Sequence, residues 1–69
     1  MIENIIKDLN NYKGREVEFI IDEGRSRKRK EKGIIKEIYR RNFIAEINDI
    51  NVSFSYADVI TKTIIINEL

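Results

Sequence analysis

A chain of 69 residues with no cysteine and no histidine can form neither disulfides nor thiolate or imidazole metal sites, and it has room for one compact domain. Its net charge of +1 conceals a sorting along the chain: residues 1–24 hold three basic and six acidic side chains, residues 25–41 nine and two, and residues 42–69 one and four. No apolar run approaches the roughly 18 residues of a membrane span, and "MIENIIKDLN" lacks the basic-then-apolar layout of a signal peptide, so a cytoplasmic protein without a membrane partner is expected.

Ile2, Ile5, Ile6 and Leu9 recur at the spacing of one helix face, with Glu3 in the first turn and Asn10, Asn11 and Gly14 as stop signals. This predicts an amphipathic helix over residues 2–12, too short to persist unless it docks on something. From Arg15 the period becomes two: Val17, Phe19 and Ile21 alternate with Glu16 and Glu18, and "DEG" at 22–24 reads as a turn. "GIIKEIY" is strand-like but ambiguous, because Ile34 and Ile38 fall on one parity and Ile35 and Tyr39 on the other. Phe43, Ala45 and Ile47 then share a face, the chain turns at Asn48-Asp49, and Ile50, Val52 and Phe54 alternate with Asn51, Ser53 and Ser55. Asp58 suits a turn cap within a single 3₁₀ turn at 56–60, and the last strand, "TKTIIIN", is expected to bury Ile64 and Ile66.

One helix and five short strands with tight links pair antiparallel. Five strands in so few residues leave costly edges unless the sheet curls. The expected fold is therefore a single mainly β domain over 1–69: a helix at 2–12 and a small, partly open, SH3-like or Sm-like five-stranded antiparallel barrel at 15–67, carrying a basic arm at 24–33. A domain this small buries a modest fraction of its surface and has no disulfide or metal to brace it. A homodimer is expected that buries at least one of the outward-parity residues Ile20, Ile44 and Ile65, since the helix covers only part of that surface.

Catalysis is set aside on residue types. A base or nucleophile would have to come from Asp, Glu, Lys, Ser or Tyr, and Glu16, Glu18, Asp22 and Glu23 read as a solvated strand face and its turn. Gly14, Gly24 and Gly33 lie too far apart to cradle a phosphate, so neither enzyme activity nor a cofactor is expected.

The segment "GRSRKRKEKG" is the candidate site. Residues 25–32 carry no apolar side chain on either parity, so the segment must project as an arm, a long hairpin edge or a loop. One or two charges suffice to protect a strand edge; six in eight residues suit phosphates or acidic proteins better. Arg25, Arg27, Lys28, Arg29, Lys30 and Lys32, extended by Arg40 and Arg41, are the expected macromolecule-binding residues. The arm has no interleaved aromatics to stack bases. An acidic protein partner or docking on the protein itself, sequence-indifferent DNA or RNA binding, a self-associating structural subunit and a merely solvated arm all stay open on the residues alone.

"VSFSYADVIT" at 52–61, preceded by "KGREVEFI", "GRSRK" and "GIIKEIY…F", resembles the Veg family of small bacterial proteins. Onto the family pattern fall Gly24, Arg25, Gly33, Glu37, Tyr39, Phe43, Ser53, Ser55, Tyr56, Asp58, Val59 and Thr61. Arg40 stands where the family usually has proline, and the loop near Asn48 is shorter than usual. The resemblance implies an SH3-like barrel and a non-catalytic regulatory role in transcription control and biofilm formation. An acidic partner would then be a transcription regulator. The resemblance supplies no agreed binding surface.

Overall fold

A computed structural model describes residues 1–69. The elements run α1 (Ile2–Tyr12), β1 (Glu16–Gly24), β2 (Arg27–Ile38), β3 (Asn42–Ile47), β4 (Ile50–Ser55), α2 (Tyr56–Ile60) and β5 (Ile64–Glu68). All strand pairs are antiparallel, in one sheet of order β4-β3-β2-β1-β5. No helix is long and apolar enough to cross a membrane.

Helix α1 lays Leu9 fully and Ile5, Ile6 and Tyr12 partly into the core. It stops at Gly14, whose φ of +81° suits glycine and whose N–H donates to the Ile35 carbonyl at 3.1 Å, tying the helix exit to β2. Along β1, Val17 and Phe19 are fully buried and Ile21 half-buried, as the alternation requires. On β3, Phe43, Ala45 and Ile47 are all buried.

Two features of β2 go beyond simple alternation. Lys36 is an extra residue, since Ile35 pairs with Ala45 while Glu37 pairs with Ile44. This bulge reverses the parity, so Ile35 and Ile38 both face the core and the ambiguity of "GIIKEIY" is resolved. Gly33 occupies a core-facing position where a Cβ would lie 2.6 Å from the Glu46 carbonyl oxygen and 2.9 Å from side-chain atoms of Ile47 and Phe19. Only the bare backbone lets its neighbours close over β2 at that point.

That closure curls the sheet. In a flat sheet β4 and β1, three places apart, would be separated by about 14 Å. Yet the Phe54 ring on β4 lies 6.2 Å from the Phe19 ring on β1, and 5.6 Å from that of Phe43. The five-stranded sheet and N-terminal helix are as expected, but the sheet does not close on itself: β4 and β5 both remain edges.

The turns differ in how well they follow expectation. Asn48 and Asp49 have φ of 54° and 65° and form the expected two-residue hairpin turn. The first hairpin does not turn at 22–24. β1 continues to Gly24 with Glu23 bulged out, and the reversal falls on Arg25 (φ 52°) and Ser26 (φ 63°). The segment at 56–60 is a short α-helix rather than 3₁₀. Ser55 and Asp58 form a reciprocal cap there, each side chain accepting from the other's backbone N–H at 3.3 Å, so Asp58 is the expected capping residue. β5 buries Ile64 fully and Ile66 partly.

Candidate macromolecule-binding surface

The basic segment is not a separate arm. It is the distal half of β2, hydrogen-bonded to β1 throughout: Phe19 pairs with Glu31, Ile20 with Lys30, Ile21 with Arg29 and Asp22 with Lys28. Paired residues in an antiparallel ladder share a face, so the register sorts the cations onto two sides. Arg29 and Glu31 lie on the concave side with Phe19 and Ile21, whereas Lys28, Lys30 and Lys32 lie on the convex side and are exposed.

The concave cation is already engaged. Arg29 sits 3.8 Å from the Glu23 carboxylate and 3.6 Å from that of Glu31, and Asn48 Nδ2 donates to the other Glu31 oxygen at 3.2 Å. This cluster rims a groove floored by Ile21, Ile47, Val52 and Phe54, with Ile50 at its end. Arg29 thus stands half-exposed at the mouth of the half-open sheet, on the opposite side of the hairpin from the lysines.

The convex lysines are different. None of Lys28, Lys30 and Lys32 has a carboxylate within 4.0 Å. They stand in one row, about 6.8 Å apart along the strand. Next to this row, about one strand spacing of 4.8 Å away, β1 presents Asp22, Ile20 and Glu18 opposite them in turn. The convex face of the hairpin is therefore striped, a positive row beside a row with two acids.

Arg25 and Arg27 lie at the hairpin tip, exposed and also without an ion-pair partner. Arg40 and Arg41 occupy the two-residue turn at the far end of β2, closed by the Tyr39 N–H donating to the Asn42 carbonyl at 2.8 Å. Seven residues of chain lie between Lys32 and Arg40, well over about 20 Å of extended strand. The expected site of eight residues thus divides into a lysine row, a tip pair, an engaged arginine and a remote pair. The Arg40-Arg41 turn is pinned from beneath by Tyr56, whose one hydroxyl hydrogen is shared between the carbonyls of Tyr39 and Asn42. Burial pushes the Tyr56 phenol above its ordinary pKa.

Glu18 and Asp22 were not expected in the site. The signal for them is the register of the β1–β2 hairpin, which follows once the turn is placed at Arg25-Ser26 rather than at Gly24.

The family model described as "biofilm formation stimulator VEG" matches residues 1–67. No curated protein matches the chain.

Proposed function

Because the chain belongs to the Veg family of biofilm-formation stimulators, we propose that it is a non-enzymatic regulatory protein that docks the striped face of its β1–β2 hairpin onto an acidic protein surface, and that this docking is its route to transcription control. We further read the curled sheet as an SH3-like half-barrel that serves as the rigid mount for that hairpin. The observation carrying the proposal is the unpaired row of Lys28, Lys30 and Lys32 lying directly beside Glu18 and Asp22.

The stripe matters for partner class. A nucleic-acid backbone is uniformly negative and wider than one strand spacing, so on this face it would meet the β1 acids as well as the lysines. A protein surface with acids set to meet the lysines and a cation set to meet Asp22 or Glu18 satisfies both rows. Such complementarity also rejects partners that present only one sign. Sequence-indifferent nucleic-acid binding is the second reading, favoured by the unpaired Arg25 and Arg27 at the tip.

The test is affinity capture with the native protein and with Lys28→Glu/Lys30→Glu/Lys32→Glu, each with and without nuclease. A titration of labelled duplex DNA, single-stranded DNA and RNA runs in parallel. The proposal expects a protein captured by the native chain, resistant to nuclease and lost in the triple variant. It fails if the captured protein disappears on nuclease treatment or is retained by the variant. Nucleic-acid binding tighter than about 100 μM at physiological salt, abolished by the same substitutions, would favour the second reading.

A further inference from the structure

Strand β4 is an edge with none of the usual protection. Over Ile50–Ser55 it has no charged residue, no proline and no bulge against β3, which are the devices that ordinarily keep an edge from pairing. The β3–β4 register shows which backbone groups are free. Ile47 and Ile50 flank a two-residue turn, and a pair in that position exchanges both ladder bonds. Val52 and Phe54 follow the same parity and also point their N–H and C=O toward β3. Asn51 and Ser53 therefore direct theirs away from the sheet, with no strand beyond. The next outward N–H, that of Ser55, is held by Asp58.

We propose that this edge is the self-association surface of the protein: two copies pair β4 antiparallel about a two-fold axis passing Val52. In that register Asn51 of each copy exchanges two backbone hydrogen bonds with Ser53 of the other, four in all. Val52 meets its own counterpart on the concave side, and each Ile50 meets the opposing Phe54. The contact is self-complementary because the strand is neutral, so no charge meets its own image. It also covers Ile50, which is 64% exposed and is the most exposed isoleucine of the chain. Aromatic–β-branched pairs of this kind are the favourable cross-strand combinations.

The other surfaces fit a second copy less well. The expected convex contacts Ile20, Ile44 and Ile65 are each already half-buried, and Ile44 lies two strands away from Ile20. The β5 edge is bordered by the helices, since Ile64 and Ile66 share a groove with Leu9 of α1 and Val59 of α2. An incoming strand would meet them. Pairing β4 of one copy with β5 of the next would also give a head-to-tail contact, which leads to rings or filaments rather than a closed dimer.

The dimer has a consequence for docking that rests on the proposed reading of the lysine row. The two β2 strands would lie five strand spacings apart in one continuous ten-stranded sheet, about 24 Å along its surface. Both lysine rows would face the same convex side, far enough apart for salt to screen their repulsion, at a Debye length of about 8 Å. Oligomeric state is read without any partner, so the dimer and the docking proposal can fail separately.

Ser53→Pro tests the proposal. The Ser53 N–H faces the free edge, so proline there deletes an inter-copy donor and keeps the β3–β4 backbone ladder, losing within the chain only the exposed bond that Asn42 Nδ2 donates to the Ser53 hydroxyl at 2.8 Å. Sedimentation should show the native chain as a dimer at tens of micromolar and Ser53→Pro as a monomer that still melts cooperatively. Val52→Cys is the second variant, clean because the chain has no cysteine. Across the two-fold its Cα atoms would be about 4.5 Å apart, within disulfide range, so mild oxidation should cross-link it, whereas Ile65→Cys should stay uncrosslinked. A native chain monomeric at high micromolar concentration overturns the proposal. So does a ring or filament, or cross-linking at position 65 but not at 52.

Discussion

Tyr56 shows how one side chain sets the position of a distant loop. It is 2% exposed, packs its ring 6.0 Å from that of Phe43, and carries its hydroxyl to the carbonyls of the Arg40-Arg41 turn. Tyr56→Phe keeps the ring and leaves the Tyr39 carbonyl without this donor, while the Asn42 carbonyl still accepts from the Tyr39 N–H, and the loss should cost about 1–2 kcal/mol at pH 7. The pH dependence has a definite sign. Burial holds the folded-state pKa above the ordinary value, so the folded chain keeps this proton more tightly than the unfolded one. The phenol's contribution is complete below about pH 10 and is lost as pH rises through the raised value. Urea melts of native and Tyr56→Phe proteins should therefore differ at neutral pH and converge above about pH 10. A gap that stays constant across that range would mean that the hydroxyl is not the group responsible.

At the scale of elements, what was legible depended on whether a strand was regular. α1, β3, β4 and the Asn48-Asp49 turn follow their patterns because their apolar residues keep one period and their turn residues tolerate left-handed backbone. The sequence pattern divides β2 into a strand and a basic segment without a fixed form, for two physical reasons. Its bulge at Lys36 breaks the period, and its distal half has a wet convex face and a concave face held by an ion-paired Arg29 and Glu31 instead of apolar residues. The turn at Arg25-Ser26 was hidden because neither residue is a usual donor of positive φ, whereas Gly24 next to it is. With the turn displaced, the register was lost, and with it the β1 acids and the separation of Arg40 and Arg41 from the lysines. Gly33 was legible only as a kink; its neighbours show that the curl of the sheet depends on it. Gly33→Ala forces a methyl against a backbone carbonyl that cannot rotate away, and should cost about 3 kcal/mol, lowering Tm by roughly 12–24 °C in a domain of this size. A thermal melt within a few degrees of native would show that the strands can part at this point at little cost.

At the scale of the whole molecule, the core and the charged face are independent in space. The nine buried apolar residues lie within the curl and beneath α1, while Lys28, Lys30 and Lys32 bury nothing and belong to the convex side of a hairpin that reaches beyond the core. Their reversal should therefore change binding without unfolding the sheet, the acid-on-acid contacts with Asp22 and Glu18 costing about 1 kcal/mol or less each. The most direct measurement is biofilm formation by cells whose only copy of this protein is native, Lys28→Glu/Lys30→Glu/Lys32→Glu, or Arg40→Ser/Arg41→Ser, with equal amounts of folded protein verified in each. The lysine row as the working surface predicts that the triple variant forms no more biofilm than cells lacking the protein, while the turn variant matches native. Full biofilm from the triple variant would contradict it.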